Sequence, residues 1–476
     1  MTFKPMINVA QMERRQVNTA QIQQLDSAHY LHPFTDTHAL AQRGARVITR
    51  GEGIYIWDSE GQKILDAMSG LWCVNIGYGR QELAQAAYLQ MMELPYYNSF
   101  FNTTNVPAVR LATKLCSLAP KVGERSFTHV FFSSSGSESN DTNIRMVRHY
   151  WASLGQPQRK VIIARHNGYH GSTIGGASLG GMKGMHEQGD LPIPGIVHID
   201  QPYHLENALP GESEHDFGIR MARQLEAKIL EIGADKVAAF IGEPVQGAGG
   251  VIIPPTSYWP EIQRSVDQYG ILLISDEVIC AFGRLGAWFS YEQMGYKPDL
   301  VTFAKGVTSG YMPLGGVLVG NRVAEVIVNQ GGDFNHGYTY SGHPVACQVA
   351  LANLEWMEKE RVVERVRDDI APYLAERFTS LLSHPLVGEA RTHGMMAGLV
   401  LMKNKATREM FPSELSVGMA CRAHCFGNGL IMRAVGDRMI IAPPLVMTRH
   451  DIDTMMTLIV RCLDLTWNEA QHKGWC

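Results

Sequence analysis

A lysine and an aspartate each follow a short apolar segment of the chain. Asp276 comes shortly after Ile271–Ile274, and Lys305 comes after Leu300–Phe303, 29 residues beyond Asp276. Because α/β enzymes keep their binding sites at the carboxyl ends of parallel strands, we expect these two side chains to meet at one edge of a sheet. A lysine amine can bond covalently to a carbonyl carbon, and a carboxylate can hold a proton on a ring nitrogen.

These two abilities are the ones that pyridoxal phosphate requires of its protein. Lys305 would form a Schiff base with the aldehyde, and Asp276 would keep the pyridine nitrogen protonated. Lysine and aspartate are common residues, so the pair alone is weak evidence, and an ordinary surface position is the alternative. Four further motifs bear on the choice.

A serine- and glycine-rich segment, Ser133–Ser139, lies between a predicted strand at Thr128–Phe132 and a helix predicted from about Asn140. Small residues let backbone N–H groups approach an anion, and a helix N-terminus adds partial positive charge. The segment therefore predicts a phosphate cradle, although a simple helix-capping turn would suit the same residues. It is neither a P-loop nor a dinucleotide-binding GxGxxG motif.

Three more loops carry groups suited to a ligand site. Asn167–Gly171 follows a predicted strand at Lys160–Ala164 and could lay the ring of Tyr169 against a ligand, or merely pack it under the loop. Gly242–Gly247 puts a carboxylate and an amide at another strand end, and Tyr338–Gly342 offers hydroxyl groups before a helix. Each could be structural when considered alone.

The remaining pattern alternates strands and helices, which predicts an α/β fold with a mostly parallel sheet. Further elements are expected along the chain: a polar helix at about Gln11–Tyr30, a hairpin at Arg46–Thr49 and Ile54–Asp58, an amphipathic helix at Phe217–Ile232 ending near Gly233, a strand at Val237–Ile241, a helix capped by Thr256 or Ser257 and ending at Gly270, a surface excursion at Gln201–Asp216, and strands near Met395–Leu401 and Met439–Ile441. We expect residues 75–345 to form a large domain and residues 346–476 a smaller α+β domain, to which residues 1–74 contribute.

Composition excludes several classes of protein. The chain of 476 residues is 45% hydrophobic and 18% charged with a net charge of −4, and it has no basic run for binding nucleic acid. No signal-peptide core and no apolar run of membrane-spanning length appear, so we expect a cytoplasmic protein that does not bind membranes. The eight cysteines lack metal-site spacing, which predicts reduced thiols and no bound metal.

Taken together, the motifs resemble the class III pyridoxal-phosphate aminotransferases of fold type I, and in particular the ω-amino acid or amine–pyruvate transaminases. Further segments carry this resemblance: Leu31–Asp36, Gly70–Asn75, Gly175–Met182 and Ala442–Val446. The resemblance covers nearly the whole chain. It implies a large domain built on a mostly parallel sheet of the seven-stranded type flanked by helices, plus a smaller α+β domain.

The resemblance implies a role for each residue of the cofactor site. Lys305 matches the Schiff-base lysine, Asp276 the pyridinium partner, and Val278 and Tyr169 the residues on the two faces of the ring. Thr339 matches a phosphate ligand donated by a neighbouring subunit, which implies an obligate homodimer with shared sites, possibly a homotetramer. The remaining positions implied in cofactor binding are Ser135, Gly136, Ser137, His170 and Glu243.

The substrate pocket is implied in the same way. Arg433 matches a mobile arginine that receives the carboxylate of the acceptor and swings away for an amine without one, and a surface ion pair is the alternative role. The other implied pocket residues are Phe34, Leu71, Trp72, Tyr169 and Ala248. Three positions depart from the family pattern and put loop geometry and substrate preference in question: Ala281, Thr392-His393 and His166.

The implied reaction is a ping-pong transamination. An amine gives its nitrogen to the cofactor, which becomes pyridoxamine phosphate, and a keto acid, for which pyruvate is expected, then accepts it. β-Alanine, putrescine-like diamines, taurine-like ω-amino acids and aryl-alkyl amines all stay open as donors. An aminomutase or amino-acid racemase on the same fold is the alternative enzyme, and a vitamin-bound, non-catalytic regulator is the alternative outside enzymes.

Overall fold

The computed structural model describes residues 17–476, which form three sheets and a set of surrounding helices. Its strands are β1 (Ile48–Glu52), β2 (Tyr55–Asp58), β3 (Lys63–Asp66), β4 (Phe127–Ser133), β5 (Val161–Arg165), β6 (Ile196–Ile199), β7 (Val237–Gly242), β8 (Leu272–Asp276), β9 (Leu300–Phe303), β10 (Gly315–Gly320), β11 (Val387–His393), β12 (Met396–Leu401), β13 (Leu430–Ile431), β14 (Arg433–Val435) and β15 (Arg438–Ile441).

Helices connect these strands and cover them. They are α1 (Thr19–His29), α2 (Thr37–Arg43), α3 (Ser69–Trp72), α4 (Gln81–Glu93), α5 (Val106–Leu118), α6 (Gly136–Ser153), α7 (Ile174–Leu179), α8 (Lys183–Gly189), α9 (His204–Asn207), α10 (Glu214–Ile232), α11 (Tyr258–Tyr269), α12 (Asn321–Gln330), α13 (Pro344–Lys359), α14 (Val362–Arg365), α15 (Ala371–Thr379), α16 (Val417–Gly427) and α17 (Arg449–His472). None of the helices within residues 17–476 is long and apolar enough to cross a membrane.

The largest sheet has seven strands in the order β4-β10-β9-β8-β7-β5-β6. Strands β5 to β9 pair in parallel, and β10 alone runs antiparallel to both of its neighbours, β9 and β4. The carboxyl ends of β4, β5, β7, β8 and β9 therefore lie at the same edge. The alternating strands and helices of the sequence predict this mostly parallel α/β sheet, and the prediction is confirmed.

The strands at the centre of this sheet are buried on both faces. Every residue of β7, β8, β9 and β10 is buried, as expected for parallel strands between two layers of helices. Alternate side chains enter different cores: Leu273 packs in one hydrophobic cluster, and its neighbour Leu272 packs in the other. This burial keeps the strand ends in fixed relative positions.

Two smaller four-stranded sheets use the two ends of the described chain. The first has the order β1-β2-β3-β13, so a strand near the C-terminus pairs in parallel with an N-terminal one. The second has the order β11-β12-β15-β14 and is antiparallel throughout. The domain limits at residues 74 and 345 remain a proposal, which this pairing of N-terminal and C-terminal strands supports.

Several boundaries differ from the sequence-based predictions. Helix α6 begins at Gly136 rather than about Asn140, because Ser135 already acts as its N-cap and accepts a hydrogen bond from the Glu138 N–H. Ser257 precedes α11, but its hydroxyl donates to the His215 carbonyl instead of capping the helix. Six short strands were not predicted: β3, β6, β10, β11, β13 and β14. Gln11–Gln16 of the expected polar helix lie outside the described residues.

The predicted surface excursion at Gln201–Asp216 is only partly exposed. Gln201 and Tyr203 are buried, and the Tyr203 hydroxyl donates to Glu389 in β11. The segment therefore joins two of the sheets, and its polar composition reflects these contacts as well as contact with water.

The departures from the family pattern have local explanations. Ala281 does not need a positive φ, because the left-handed residues of that turn are Phe282 and Gly283. Thr392 and His393 lie in β11, and the turn that follows is made by Gly394, at φ 57°. His166 is exposed, and its ring stacks on His198.

Candidate active site

The strand ends bring together the groups that the sequence places after each strand. Gly242 pairs with Ser275, and Asp276 pairs with Thr302, so Glu243, Asp276 and Lys305 follow three adjacent strands at one edge. The charges of Asp276 and Glu243 both act on the Lys305 ammonium and raise its pKa, against the larger effect of burial. The structure therefore brings the predicted lysine and aspartate into one site.

Asp276 is buried and held from three directions. Its Oδ2 accepts a hydrogen bond from Asn140 Nδ2 at 2.7 Å and lies 2.7 Å from His170 Nδ1. Its Oδ1 accepts from the Val278 N–H at 3.1 Å. A carboxylate fixed in this way can present negative charge to a ring nitrogen without reorganising.

Lys305 begins a short 3-10 helix, Lys305–Thr308, with φ at 47°. A positive φ is costly for a residue with a long side chain, so the surrounding structure must impose it. The ammonium makes no ion pair or hydrogen bond with any residue between 17 and 476. Burial lowers the pKa of Lys305, which favours the neutral amine that a base or nucleophile requires.

Glu243 anchors the loop that carries Tyr169. Its Oε1 accepts from the Tyr169 N–H and its Oε2 accepts from the Gly247 N–H, both at 3.0 Å. Burial raises the pKa of this carboxyl group, while the charges of His170 and Arg165 lower it. Its geometry makes Glu243 a support for two loops of the site.

The predicted phosphate cradle lies at the N-terminus of α6. In the part of the chain that the structure describes, the N–H groups of Gly136 and Ser137 donate no hydrogen bond and stand at the positive end of an 18-residue helix. Close packing fixes this turn: a Cβ on Gly171 would meet Ser137 Cα at 2.7 Å, and the Ser172 N–H donates to the Ser137 hydroxyl. The arrangement suits a phosphate group.

Val278 and Tyr169 belong to two different loops next to this predicted cradle. A Cβ on Gly136 would meet Val278 Cγ2 at 2.9 Å, so Val278 lies directly against the start of α6. The Tyr169 hydroxyl lies 2.9 Å from that of Ser172, and its ring packs edge-on against Phe34, with centroids 6.4 Å apart. Both residues are half-buried and could face a flat ring.

The predicted substrate residues occupy different depths. Trp72 and Ala248 are buried, whereas Leu71 and Phe34 are exposed, and Phe34 reaches the site only through its contact with Tyr169. The guanidinium carbon of Arg433 lies 5.2 Å from the centre of the Trp72 ring, and the charge of Arg433 lowers the pKa of Lys305. The alternative role of Arg433 in a surface ion pair is not seen among residues 17–476.

Thr339 is exposed and outside this cluster. The Tyr96 hydroxyl donates to its carbonyl at 2.7 Å, while the neighbouring Tyr338 hydroxyl donates to the Glu138 carbonyl of α6. An exposed threonine on a loop near α6 is compatible with a role in a second subunit.

The sequence analysis did not identify three residues that hold other residues of the site in position. Asn140 holds Asp276, and its only signal is its place on the same face of α6 as Gly136. Asp66 accepts hydrogen bonds from Met68, Gly70 and Tyr78 and so fixes the loop of Trp72. The buried Arg284 donates to Ser69 and Asn75 in that loop, and a single arginine carries no sequence signal for such a role.

These residues fit the cofactor that the sequence suggests. Within residues 17–476, Lys305 is half-buried without a partner, Asp276 is a fixed carboxylate, and the first amides of α6 are unpaired. These groups are respectively suited to an aldehyde, a pyridinium nitrogen and a phosphate. The cradle also has no Cβ atoms at Gly136 and Gly171, where side chains would collide with the site.

Comparison with known proteins agrees with this assignment. Residues 39–463 match the family model for aminotransferase class-III. The chain is 59% identical to the putrescine–pyruvate aminotransferase of Pseudomonas aeruginosa over 449 residues, which are 94% of this chain and 97% of that protein. It is 42% identical to a mitochondrial gamma aminobutyrate transaminase of Solanum lycopersicum, covering 93% of this chain and 86% of the relative.

Solved structures give the same result. The omega transaminase of Pseudomonas jessenii, in complex with PMP, superposes with a TM-score of 0.91 at 39% identity, covering 95% of this chain and 99% of the other. An (S)-enantioselective omega-transaminase from Thermomicrobium roseum has a TM-score of 0.91 at 42% identity, with 94% and 99% covered. The fold, the site and these similarities together show that the chain belongs to the class III aminotransferases, which use pyridoxal phosphate.

Proposed function

We propose that this aminotransferase moves an amino group from a diamine of the putrescine type to pyruvate, which becomes alanine. The observation that carries the proposal is the 59% identity, over 94% of the chain, to a putrescine–pyruvate aminotransferase. The named relatives are transaminases, which supports transamination over the aminomutase and racemase alternatives. Filled catalytic positions at Lys305 and Asp276 argue against a non-catalytic regulator.

Lys305 is the proposed catalytic base. Pyridoxal phosphate, when bound, supplies an aldehyde that takes up the donor nitrogen and a ring that stabilises negative charge. Lys305 would hold the cofactor between turnovers, and its neutral amine would then remove a proton from the donor carbon and deliver it to the carbon that had been the cofactor's aldehyde carbon. Burial lowers the pKa of Lys305 and so favours this neutral form.

Asp276 and the α6 cradle are proposed to hold the cofactor in place. Asp276 keeps a proton on the ring nitrogen, and the contacts from Asn140 and His170 fix its orientation. The amides of Gly136 and Ser137, with the Ser135 cap, bind the phosphate, while Glu243 holds the Tyr169 loop against the ring. Tyr169 and Val278 restrict the ring from its two faces.

Arg433 is proposed to bind the carboxylate of pyruvate. Its guanidinium is half-buried beside the Trp72 ring, and within residues 17–476 it has no carboxylate partner. An arginine of this kind can form two parallel hydrogen bonds with an incoming carboxylate. Phe34, Leu71, Trp72 and Ala248 are the proposed walls around the rest of the substrate.

We propose a homodimer, or a tetramer of such dimers, in which Thr339 contributes to the partner's phosphate site. Exposed aromatic side chains at and beside the Thr339 loop support this: Tyr340 is 58% exposed, and Phe101, which follows the Phe100 ring next to Gly337, is 89% exposed. The proposed location is the cytoplasm, where the eight free thiols would remain reduced.

A donor and acceptor panel tests the proposed substrates. Purified enzyme is given putrescine, β-alanine, gamma-aminobutyrate or 1-phenylethylamine with pyruvate, and alanine is measured. We expect putrescine to have the highest kcat/KM. An inert putrescine, or faster turnover when 2-oxoglutarate replaces pyruvate, would contradict the proposed substrates while leaving the aminotransferase class intact.

A further inference from the structure

The indole ring of Trp72 is held rigidly at the edge of the active site. Asp66 Oδ2 accepts hydrogen bonds from the Gly70 N–H and the Tyr78 hydroxyl, both at 2.6 Å, and its Oδ1 accepts from the Met68 N–H. Trp72 itself is only 4% exposed and has a positive φ of 57°. Its Nε1 is buried and has no hydrogen-bond partner in the described chain.

One face of this ring already holds a cation. The Arg433 guanidinium carbon lies 5.2 Å from the ring centre, within the range of a cation–π contact. No residue in the range 17–476 forms an ion pair or hydrogen bond with that guanidinium. Burial lowers the pKa of Arg433 and the charge of Tyr169 raises it, and the Trp72 ring face adds a cation–π contact.

The carboxylates near Lys305 are already committed to other groups. Asp276 accepts from Asn140 and Val278 and contacts His170, and Glu243 accepts from the Tyr169 and Gly247 N–H groups. A diamine reacts through one nitrogen and brings a second, positively charged nitrogen into the pocket. That distal ammonium therefore needs a site other than these two carboxylates.

We propose that the Trp72 ring face is the subsite for the distal ammonium of the diamine, and that the ammonium and the Arg433 guanidinium occupy it in turn. This inference rests on the proposed function. Two cations on one ring face repel each other, so the diamine enters as Arg433 withdraws. Pyruvate draws Arg433 to its carboxylate and needs no ammonium site, so a single aromatic face serves the two half-reactions.

Two donors of similar shape but different charge separate the effect of the distal ammonium from the effect of substrate shape. Pentan-1-amine has a methyl group where putrescine has its distal ammonium, and both are used in single-turnover reactions without a keto acid. We expect Trp72→Leu to lower the second-order rate constant of the half-reaction with putrescine, relative to that with pentan-1-amine, by about 3- to 30-fold. This is the range of a partly desolvated cation–π contact. Trp72→Phe keeps an aromatic face and should retain most of the preference.

Arg433→Gln gives an effect of the opposite sign. Removing the competing guanidinium should lower the KM for putrescine relative to pentan-1-amine, and this gain should vanish in the double variant Trp72→Leu/Arg433→Gln. A gain that persists without Trp72 would show a general effect of charge and would overturn the proposed subsite. A purely structural role of Trp72 would not make the gain depend on the presence of Trp72.

Binding can also be measured without turnover. Choline has no primary amine, and 3,3-dimethylbutan-1-ol is its neutral isostere, so calorimetric titration of the cofactor-loaded enzyme compares a cation with a neutral group of similar shape. We expect Arg433→Gln to bind choline at least threefold more tightly than the alcohol, and the double variant to lose this difference. Equal affinities in Arg433→Gln would overturn the inference.

The outcomes distinguish the inference from the function on which it rests. If wild-type enzyme reacts with neither amine, or with pentan-1-amine alone, the proposed diamine function fails. If it reacts with both and Trp72→Leu changes the two donors equally, the function stands and the Trp72 subsite is wrong.

Discussion

At the scale of single residues, the site depends on charges that are held in place by uncharged neighbours. The sequence predicts the place of Asp276 at the end of a strand. The orientation of its carboxylate, however, depends on contacts with Asn140 and His170. The sequence predicts the carboxylate because it ends an apolar strand. It does not predict Asn140 in this role, because the contact depends on how α6 packs over the sheet.

Asp276→Asn is predicted to slow the amine half-reaction by about 100- to 10,000-fold, which is the usual range for the loss of a group that controls proton transfer. The amide keeps the shape of the side chain but does not favour a protonated ring nitrogen. Rapid-mixing spectroscopy with a saturating amine measures the rate. Asn140→Ser, which leaves the carboxylate in place, serves as the control and should lose much less; equal losses in the two variants would contradict the charge-based role.

The buried Arg284 shows the limit of prediction at this scale. It donates to Ser69 and Asn75 near Trp72 and to the Met395 carbonyl, so it joins segments far apart in the sequence. No spacing or periodicity marks such a residue, because its partners are defined only by the tertiary fold.

At the scale of elements, the start of α6 is the part of the site most sensitive to packing. The sequence predicts a phosphate cradle there but starts the helix four residues late, because a run of small polar residues is typical of a loop. In the structure those residues are the N-cap and first turn of α6, whose first amides have no hydrogen-bond acceptor among residues 17–476. The earlier start of α6 supports the predicted role of this segment, because it puts Gly136 and Ser137 at the helix N-terminus.

Gly171→Ala is predicted to weaken cofactor binding by at least tenfold. Gly171 has φ 133°, and an added Cβ would lie 2.7 Å from Ser137 Cα, so the loop or the first turn of α6 must move. Titration of the cofactor-free protein with pyridoxal phosphate gives the affinity. Gly184→Ala is the matched control, since nothing lies within 4 Å of its added Cβ; similar affinities for the two variants would disprove the packing argument.

Strand β6 is predicted to make stability depend on pH. The His198 ring packs between His166 and His186, and burial lowers its pKa from 6.5 to about 4. The unfolded chain therefore binds more protons between these values, so stability is fully present above pH 6.5 and falls as the pH drops toward 4. The loss from this group is about 2–3 kcal/mol.

Urea unfolding of wild type and His198→Gln at a series of pH values measures this contribution. The free energies of unfolding of wild type and His198→Gln should converge as the pH falls from 6.5 to 4. His215→Gln, which changes an exposed histidine of α10, should remain parallel to wild type. A constant difference between wild type and His198→Gln across this range would show that His198 does not titrate as described.

At the scale of the whole molecule, the long and strongly patterned elements could be predicted, and the short pairings could not. Strands β7 to β9 are continuous apolar runs, and the amphipathic pattern of α10 marks its buried residues. Strand β13 has two residues and exists only because β3 lies beside it. Its pairing depends on contacts between opposite ends of the described chain, which local sequence does not encode.

The proposed sharing of active sites predicts complementation between subunits. Thr339→Asp would place negative charge toward the proposed phosphate site of the partner, and Lys305→Ala would remove the proposed catalytic amine, so each variant alone should be nearly inactive. A heterodimer of the two has one site with both native residues and should recover activity. Co-expression with two affinity tags isolates the heterodimer; activity no greater than the mean of the two parents would contradict site sharing.

The most direct test of the central claim is the visible absorption spectrum of the purified protein before and after addition of an amine without a keto acid. The account predicts a cofactor band that the amine removes and that pyruvate restores, with Lys305→Ala failing to complete this cycle. A cofactor band that no amine can remove would contradict transamination. The absence of any such band, even after pyridoxal phosphate is added, would contradict the assignment of Lys305 and Asp276 as a cofactor site.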